Sequence, residues 1–459
     1  MYKIDFKHPI HVYFIGIGGI SMSGLAAVLA DRGFTVSGSD RSETELTHWL
    51  EKNGVNVYYG QRASNLTDDI DLIVYTAAIH PDNPEYAEAA ARNLPMLTRA
   101  ELLGQLMTNY PMPIAIAGTH GKTTTTSMLT HILLAAESDP TISVGGILPA
   151  IHGNIRVGGG DIFLTEACEY TNSFLDFFPK ISVILNIDAD HLDFFKDLDD
   201  IRHSFRLFAE KLPADGTLII SSDIPQVEEL TKDLPCRVLY YGSSAASDYA
   251  ATDISYNESG CASFTLLKGG KELGQFHLQV PGIHNALNAI AALAVGDQLG
   301  ISTDTLQDGI YSFTGTDRRF QFKGEIGGVT IVDDYAHHPT EIKATLQAAK
   351  QRAHKTVWCV FQPHTYTRTK ALMDDFAEAL SLADEVVLAD IYAARETDTL
   401  GVSSRDLLEK VAAHGTSAHY FPSFDEIENF LLENCTQGDL LITMGAGDVV
   451  KIGEKLLGK

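Results

Sequence analysis

The chain has 459 residues, 45% hydrophobic and 20% charged, the make-up of a globular protein too long for a single core and suited to about three domains. Its 60 acidic against 34 basic residues leave a formal net charge of −26 that no run of Lys and Arg relieves, which excludes nucleic acid as an expected partner. Five scattered cysteines without a C-x-x-C pair read as free thiols of a reducing compartment, and no stretch approaches 18 apolar residues, so the expectation is a cytoplasmic protein that does not enter a membrane.

The first hundred residues alternate strands and helices. The apolar run Val12-Tyr-Phe-Ile is a buried strand, and the glycines after it mark a turn rather than a secretion signal. A helix is predicted over 22–31, strands over 35–40, 55–58 and 71–75, and a second helix over 47–53, which together make a doubly wound, Rossmann-like α/β unit. Its first turn, Gly16-Ile-Gly18-Gly19-Ile-Ser21, resembles the dinucleotide fingerprint G-x-G-x-x-G, with Ser21 in the third glycine's place and Asp40 ending the next strand. Such a turn suits the diphosphate of NAD or of a UDP-sugar equally, or serves packing alone.

Pro111-Met-Pro reads as a linker and sets a boundary near residue 110. Beyond it the strand Ile114-Ala-Ile-Ala runs into Gly118-Thr119-His120-Gly121-Lys122-Thr123-Thr124 and then apolar residues at helical spacing from Ser127. Strand, glycine-bounded loop and helix make a phosphate cradle, with Lys122 as point charge and a hydroxyl for Mg²⁺. The loop is shorter than G-x-x-x-x-G-K-[ST], because the residue five before Gly121 is Ile116. Strands predicted over 161–166 and 181–186 bring Glu166 and a loop holding Asp188, Asp190, His191 and Asp193 to one sheet edge. Thr123 or Thr124 is the first magnesium candidate, and Glu166 with His191 a second. The alternatives are an exposed strand-end carboxylate for Glu166 and a surface or hydrogen-bonded histidine for His191, with the three aspartates as rivals. Antiparallel strands follow over 249–280, and a helix from His284 places Asn285 and Asn288 on one face.

A third alternating unit begins near Thr316. Arg318 and Arg319 suit phosphoryl charge, Asp334 ends a strand where ribose hydroxyls bind, and Pro339 can start a helix. His337, His338, His364 and Arg368 gather cationic, hydrogen-bonding groups in an acidic chain, which points to an anionic substrate. Strands are predicted over 357–361, 385–390 and 440–444.

The motifs G-T-H-G-K-T-T, T-E-A-C-E, N-I-D-A-D-H-L-D, H-N-A-L-N-A, R-R-F, D-D-Y-A-H-H-P-T-E and F-Q-P-H-T-Y-T-R-T-K, in this order, resemble the Mur ligases along nearly the whole chain. The resemblance implies three domains: a UDP-sugar-binding Rossmann-like domain over 1–110, an ATP-binding P-loop domain over 111–314, and an amino-acid-binding Rossmann-like domain over 315–459. It implies an ADP-forming amide ligase that phosphorylates the lactyl carboxylate of UDP-N-acetylmuramate and couples it to L-alanine. By the family's motifs Lys122 would hold the β- and γ-phosphates, and Thr123, Glu166 and His191 would hold Mg²⁺ (or Mn²⁺). Asn285, Asn288, Arg319 and Asp334 would meet the nucleotide, with the adenine contact open between the two asparagines. Gly16, Gly18, Gly19, Ser21, Asp40, His364 and Arg368 would bind the UDP-sugar, and His337 and His338 fall in the amino-acid region. A tripeptide-adding member of the family, a nicotinamide-dependent oxidoreductase and a nucleotide switch are the rival readings.

Overall fold

Each of the three predicted units builds its own sheet. The computed structural model describes residues 2–76, 78–244, 246–394 and 396–459. The first sheet holds β1 (His11–Ile15), β2 (Thr35–Asp40), β3 (Asn56–Tyr59), β4 (Leu72–Tyr75) and β5 (Met96–Thr98), all parallel, in the order β3-β2-β1-β4-β5. Strand order reverses between β1 and β4, so the turn after β1 opens into the crevice where such sheets bind ligands. The helix after it is Ile20–Asp31, two residues longer at its start than the apolar spacing indicates, with Gly19 as N-cap.

The second sheet has ten strands: β6 (Met112–Ala117), β7 (Thr141–Leu148), β8 (Gly153–Arg156), β9 (Ile162–Ala167), β10 (Ile181–Ile184), β11 (Thr217–Ser221), β12 (Arg237–Gly242), β13 (Tyr249–Tyr256), β14 (Cys261–Lys268) and β15 (Lys271–Pro281). Their order is β15-β14-β13-β12-β11-β10-β6-β9-β7-β8. β6 runs parallel between β10 and β9, so the loop leaving it is flanked by the ends of both. The expected linker at 111–113 proves to be the start of β6: Pro113 pairs in register with Phe163, and its carbonyl accepts the Lys180 N–H. Proline is tolerated there because it lies at the strand's start. The following helix is Lys122–Ala135, not one starting at 127. Thr123 to Thr126 are buried in its first turns, and Met128, Leu129 and Ile132 pack into the core with Ala286, Ala289 and Leu293 of the helix Ile283–Gln298.

The third sheet comprises β16 (Gln321–Ile326), β17 (Val329–Asp334), β18 (Val357–Phe361), β19 (Glu385–Leu388), β20 (Ser417–Tyr420) and β21 (Leu440–Met444), ordered β16-β17-β21-β18-β19-β20. All pairs are parallel except the β16–β17 hairpin. The helix Pro339–Lys350 starts at the predicted proline, and the expected strand 385–390 stops at Leu388.

Candidate active site

The loop after β6 closes on Gly121, the N-cap of the helix Lys122–Ala135, at φ +84°. A side chain there would be strained, and its Cβ would sit 2.6 Å from Asn288 Oδ1, so glycine is required twice over. Lys122 folds back along the loop. Its Nζ donates to the carbonyls of Gly118 and Thr119 and sits 2.9 Å from Glu169 Oε2. Burial opposes its charge, but Glu169 and Glu166 outweigh burial and hold its pKa above the usual lysine range. Thr123 Oγ1 donates to Glu166 Oε2 at 3.1 Å, and the Gly145 N–H donates to Glu166 Oε1 at 2.6 Å. Burial raises the Glu166 pKa against these donors and Lys122.

His191 stands at the left-handed φ of +54° and packs against the Tyr170 ring at 4.6 Å. Its Nε2 lies 3.9 Å from Glu169 Oε1, a buried oxygen without a hydrogen-bond partner among the described residues. His191 is expected beside Glu166; the closest carboxylates in the structure are instead those of Glu169 and Asp190, each 3.9 Å from its Nε2. Thr123 with Glu166, and Glu169 with His191, make two pairs that both neighbour Lys122, and one carboxylate oxygen, Glu169 Oε1, is unspoken for. That is the donor chemistry of a hard divalent cation, and the residues fit magnesium.

The acidic loop is clasped by the third domain. Arg368 donates to Asp190 Oδ1 through Nε and a terminal nitrogen at 3.0 and 2.9 Å, and another terminal nitrogen donates to His364 Nδ1 at 3.0 Å. Burial works against the Asp190 charge, but the Arg368 guanidinium keeps its pKa well below the usual carboxylate range. Thr340 donates to Asp188 Oδ2 at 2.6 Å. His120 lies between Asp188 and Glu341, 3.3 Å from each. Burial disfavours its charge, but hydrogen bonds to those two carboxylates raise its pKa to about 9. His120, Asp188 and His338 offer atoms within 4.8 Å of one another. His338 is already committed: Nδ1 accepts the Thr340 N–H and Nε2 donates to the Ala189 carbonyl, with 4% of the residue exposed. His120 is therefore a protonated clasp between domains, with the neutral His338 ring packed beside it at 4.7 Å.

Two cavities open beside this centre. The smaller, of about 250 Å³, is lined by Gly121, Thr124, Asn285, Asn288, Arg319 and Asp334 among others, uniting the nucleotide candidates of two domains. Asn288 donates to Asn285 Oδ1 at 3.3 Å, so the two asparagines act together. Asp334 accepts the N–H groups of Ala336 and Phe320, and burial lifts its pKa to about 6 against Arg319. The two adjacent arginines separate here. Arg318 staples Asp333 and the carbonyls of Gly445 and Gly447, whereas Arg319 faces Glu341 and the cavity.

The larger cavity, of about 960 Å³, lies where the domains meet, lined by Thr98 and Arg99 of the first, Cys168 and His191 of the second, and His364 and Arg368 of the third. In the first-domain turn, Gly16 has φ +84°, the Gly18 N–H donates to Asp40 Oδ2 at 2.8 Å, and Arg99 donates to Ser21 Oγ at 3.2 Å. Burial lowers the pKa of both His337 and His364 to about 4, so both are neutral. His337 Nδ1–H donates to the Tyr335 carbonyl at 3.0 Å. Glu169, Glu341 and Arg99 are residues of this site that no expectation from the sequence includes. Glu169 is the second acid of T-E-A-C-E and Glu341 the third of D-D-Y-A-H-H-P-T-E, and the need of Lys122 and Arg319 for counter-ions points to both. Arg99 carried no local signal.

Residues 11–111 match the Mur ligase family catalytic domain, 116–296 the Mur ligase middle domain, and 318–447 the Mur ligase glutamate ligase domain. The chain is 60% identical over 459 residues, 100% of both chains, to a UDP-N-acetylmuramate–L-alanine ligase of Agathobacter rectalis, and 60% identical over 458 residues, again 100% of both, to one of Lachnospira eligens. Its fold matches the crystal structure of UDP-N-acetylmuramate-alanine ligase MurC from Thermotoga maritima with a TM-score of 0.80 at 29% identity, covering 98% of each chain. A murein peptide ligase from Psychrobacter arcticus matches with a TM-score of 0.70 at 25% identity, also covering 98% of each.

Proposed function

Because the chain belongs to the Mur ligase family, we propose that it joins L-alanine to the lactyl carboxylate of UDP-N-acetylmuramate, with ATP converted to ADP and phosphate, in the making of peptidoglycan precursors. The 60% identity along the whole of relatives named for that reaction carries this reading. The domain limits 1–110, 111–314 and 315–459, and a cytoplasmic location, go with it; among the described residues no helix is long and apolar enough to cross a membrane.

A free carboxylate is a poor acyl donor. In the reaction its oxygen attacks the γ-phosphorus and the bond to ADP breaks. The alanine nitrogen then attacks the acyl carbon, phosphate leaves from the tetrahedral adduct, and the nitrogen loses a proton. The protein's part is positioning and neutralising charge. Lys122 holds the β- and γ-phosphates over the N–H groups of Gly121 to Thr124, those of Thr119 and His120 being taken by Asn186, and Arg319 adds a guanidinium at the reacting end. Asn285, Asn288 and Asp334 take the nucleoside. Thr123, Glu166 and His191 would hold a magnesium ion, joined by Glu169, whose unpartnered oxygen faces His191. When bound, that ion screens phosphate charge. Gly16, Gly18, Gly19, Ser21 and Asp40 take the uridine diphosphate, while His364 and Arg368 close on the sugar. His337, neutral and donating through Nδ1, keeps its Nε2 lone pair for the incoming amine; His338 acts as part of the clasp.

The test is purified protein with ATP, Mg²⁺ and UDP-N-acetylmuramate, scoring phosphate release with each amino acid. Release that depends on L-alanine is expected. Release only with a tripeptide would transfer the chain to the murein peptide ligases.

A further inference from the structure

Arg99 is the first residue of the helix Arg99–Met107, after the N-cap Thr98. A helix start already carries partial positive charge, so a cation there is unfavourable. Its guanidinium turns away from its own helix toward the first-domain turn, where it donates to Ser21, the second residue of the helix Ile20–Asp31. It lines the large three-domain cavity. Among the described residues it has no carboxylate partner, and the one group that offers it opposing charge is the Cys168 thiol. Burial keeps that thiol protonated. The other guanidinium among the cavity's described lining residues, Arg368, is matched by Asp190.

A guanidinium does not shed its proton to escape such a site. Three costs therefore coincide at Arg99: partial burial, a helix start of the same sign, and no counter-ion. An incoming anion removes all three together. The turn Gly16-Ile-Gly-Gly-Ile-Ser21 shows the converse deficit, since it contains no Lys or Arg. The helix start behind it supplies only about half a charge, against the two charges of a diphosphate. The planar guanidinium fork matches two phosphate oxygens, and Ser21 already brings it to the helix start.

We infer that Arg99 is the counter-ion for the diphosphate of the UDP-sugar, binding it jointly with the helix start at Gly19 to Ser21; this rests on the functional reading above. The decisive measurement is calorimetric binding of UDP-N-acetylmuramate and of UDP-N-acetylglucosamine, which has the diphosphate but lacks the lactyl carboxylate. The wild type, Arg99→Gln and Arg99→Lys are compared without ATP. Arg99→Gln is expected to weaken both ligands by a similar factor, about 10- to 100-fold. Arg99→Lys should fall between, keeping charge without the fork. The KM for ATP should stay within about twofold, and the thermal midpoint of Arg99→Gln should not fall, because the change removes an uncompensated charge. Unchanged affinity for both ligands would overturn the assignment. So would a loss confined to UDP-N-acetylmuramate, which would put Arg99 on the lactyl carboxylate. A wild type that binds neither ligand would instead sink the functional reading, and this inference with it.

Discussion

Two turns of this molecule share a backbone plan and differ in where their charge comes from. The turn after β1 and the loop after β6 each leave a strand flanked by parallel neighbours and open a helix, and Gly16 and Gly121 both have φ +84°. The second contains its own cation, Lys122, paired with Glu169, and its own clasp, His120, held by Asp188 and Glu341. The first contains neither and takes a cation from Arg99, 78 residues beyond Ser21. The difference teaches that a glycine turn at a helix start defines an anion cradle, while the source of the neutralising charge sets how strongly each cradle is specified locally.

The comparison is broken most directly at its strongest point. Lys122→Ala should lower phosphate release on the order of 10³-fold, because the loop's only lysine is lost from a buried site. Circular dichroism guards against misfolding from the unpaired Glu169. Turnover near the wild-type rate would mean that the second cradle, like the first, borrows its charge.

The next effect is in stability. His120 is held charged up to about pH 9, and the pKa of each of its partners, Asp188 and Glu341, is depressed. Its raised folded pKa means the clasp stabilises fully below the ordinary histidine value of about 6.5 and is lost as pH rises through about 9. The carboxylates lose their share only in acid, below about pH 4. The thermal midpoint should therefore fall between pH 6.5 and 9, by the equivalent of up to about 3 kcal/mol, and His120→Asn should flatten that fall. Identical slopes in the two proteins would show that the clasp is neutral.

The smallest effect compares the two glycines. In Gly121→Ala the new Cβ meets Asn288 at 2.6 Å, whereas in Gly16→Ala it meets only the Thr76 methyl at 2.9 Å. Both carry left-handed strain of about 1 kcal/mol or more. Gly121→Ala should raise the KM for ATP about tenfold, and Gly16→Ala the KM for UDP-N-acetylmuramate a few-fold. Crossed effects, each glycine acting on the other substrate, would dissolve the pairing of turn with ligand.

Much of the fold was legible because hydrophobic runs, glycines and prolines act over a few residues. β1, β6, β9, β17 and β21 lie where apolar runs put them, and the helix from Pro339 starts at its proline. The misread linker at 111–113 has a local reason: two prolines signal a turn, but Pro113 lies at a strand start that β9 completes from fifty residues away. The site divides the same way. Gly118 to Thr124 announces itself, whereas the choice of Arg319 over Arg318 depends on which one Asp333 and the glycine carbonyls of residues 445 and 447 claim.

By itself the sequence determined the α/β class, the two glycine cradles and the set of residues able to carry phosphate chemistry, because turn conformation and residue chemistry are short-range properties. Tertiary structure alone decided which charges meet. It matched Lys122 to Glu169 and Arg368 to Asp190, set His120 between two domains, and left Arg99 without a carboxylate partner among the described residues. Charge pairing acts through space across three sheets, and the distances that settle it exist only once the sheets have packed.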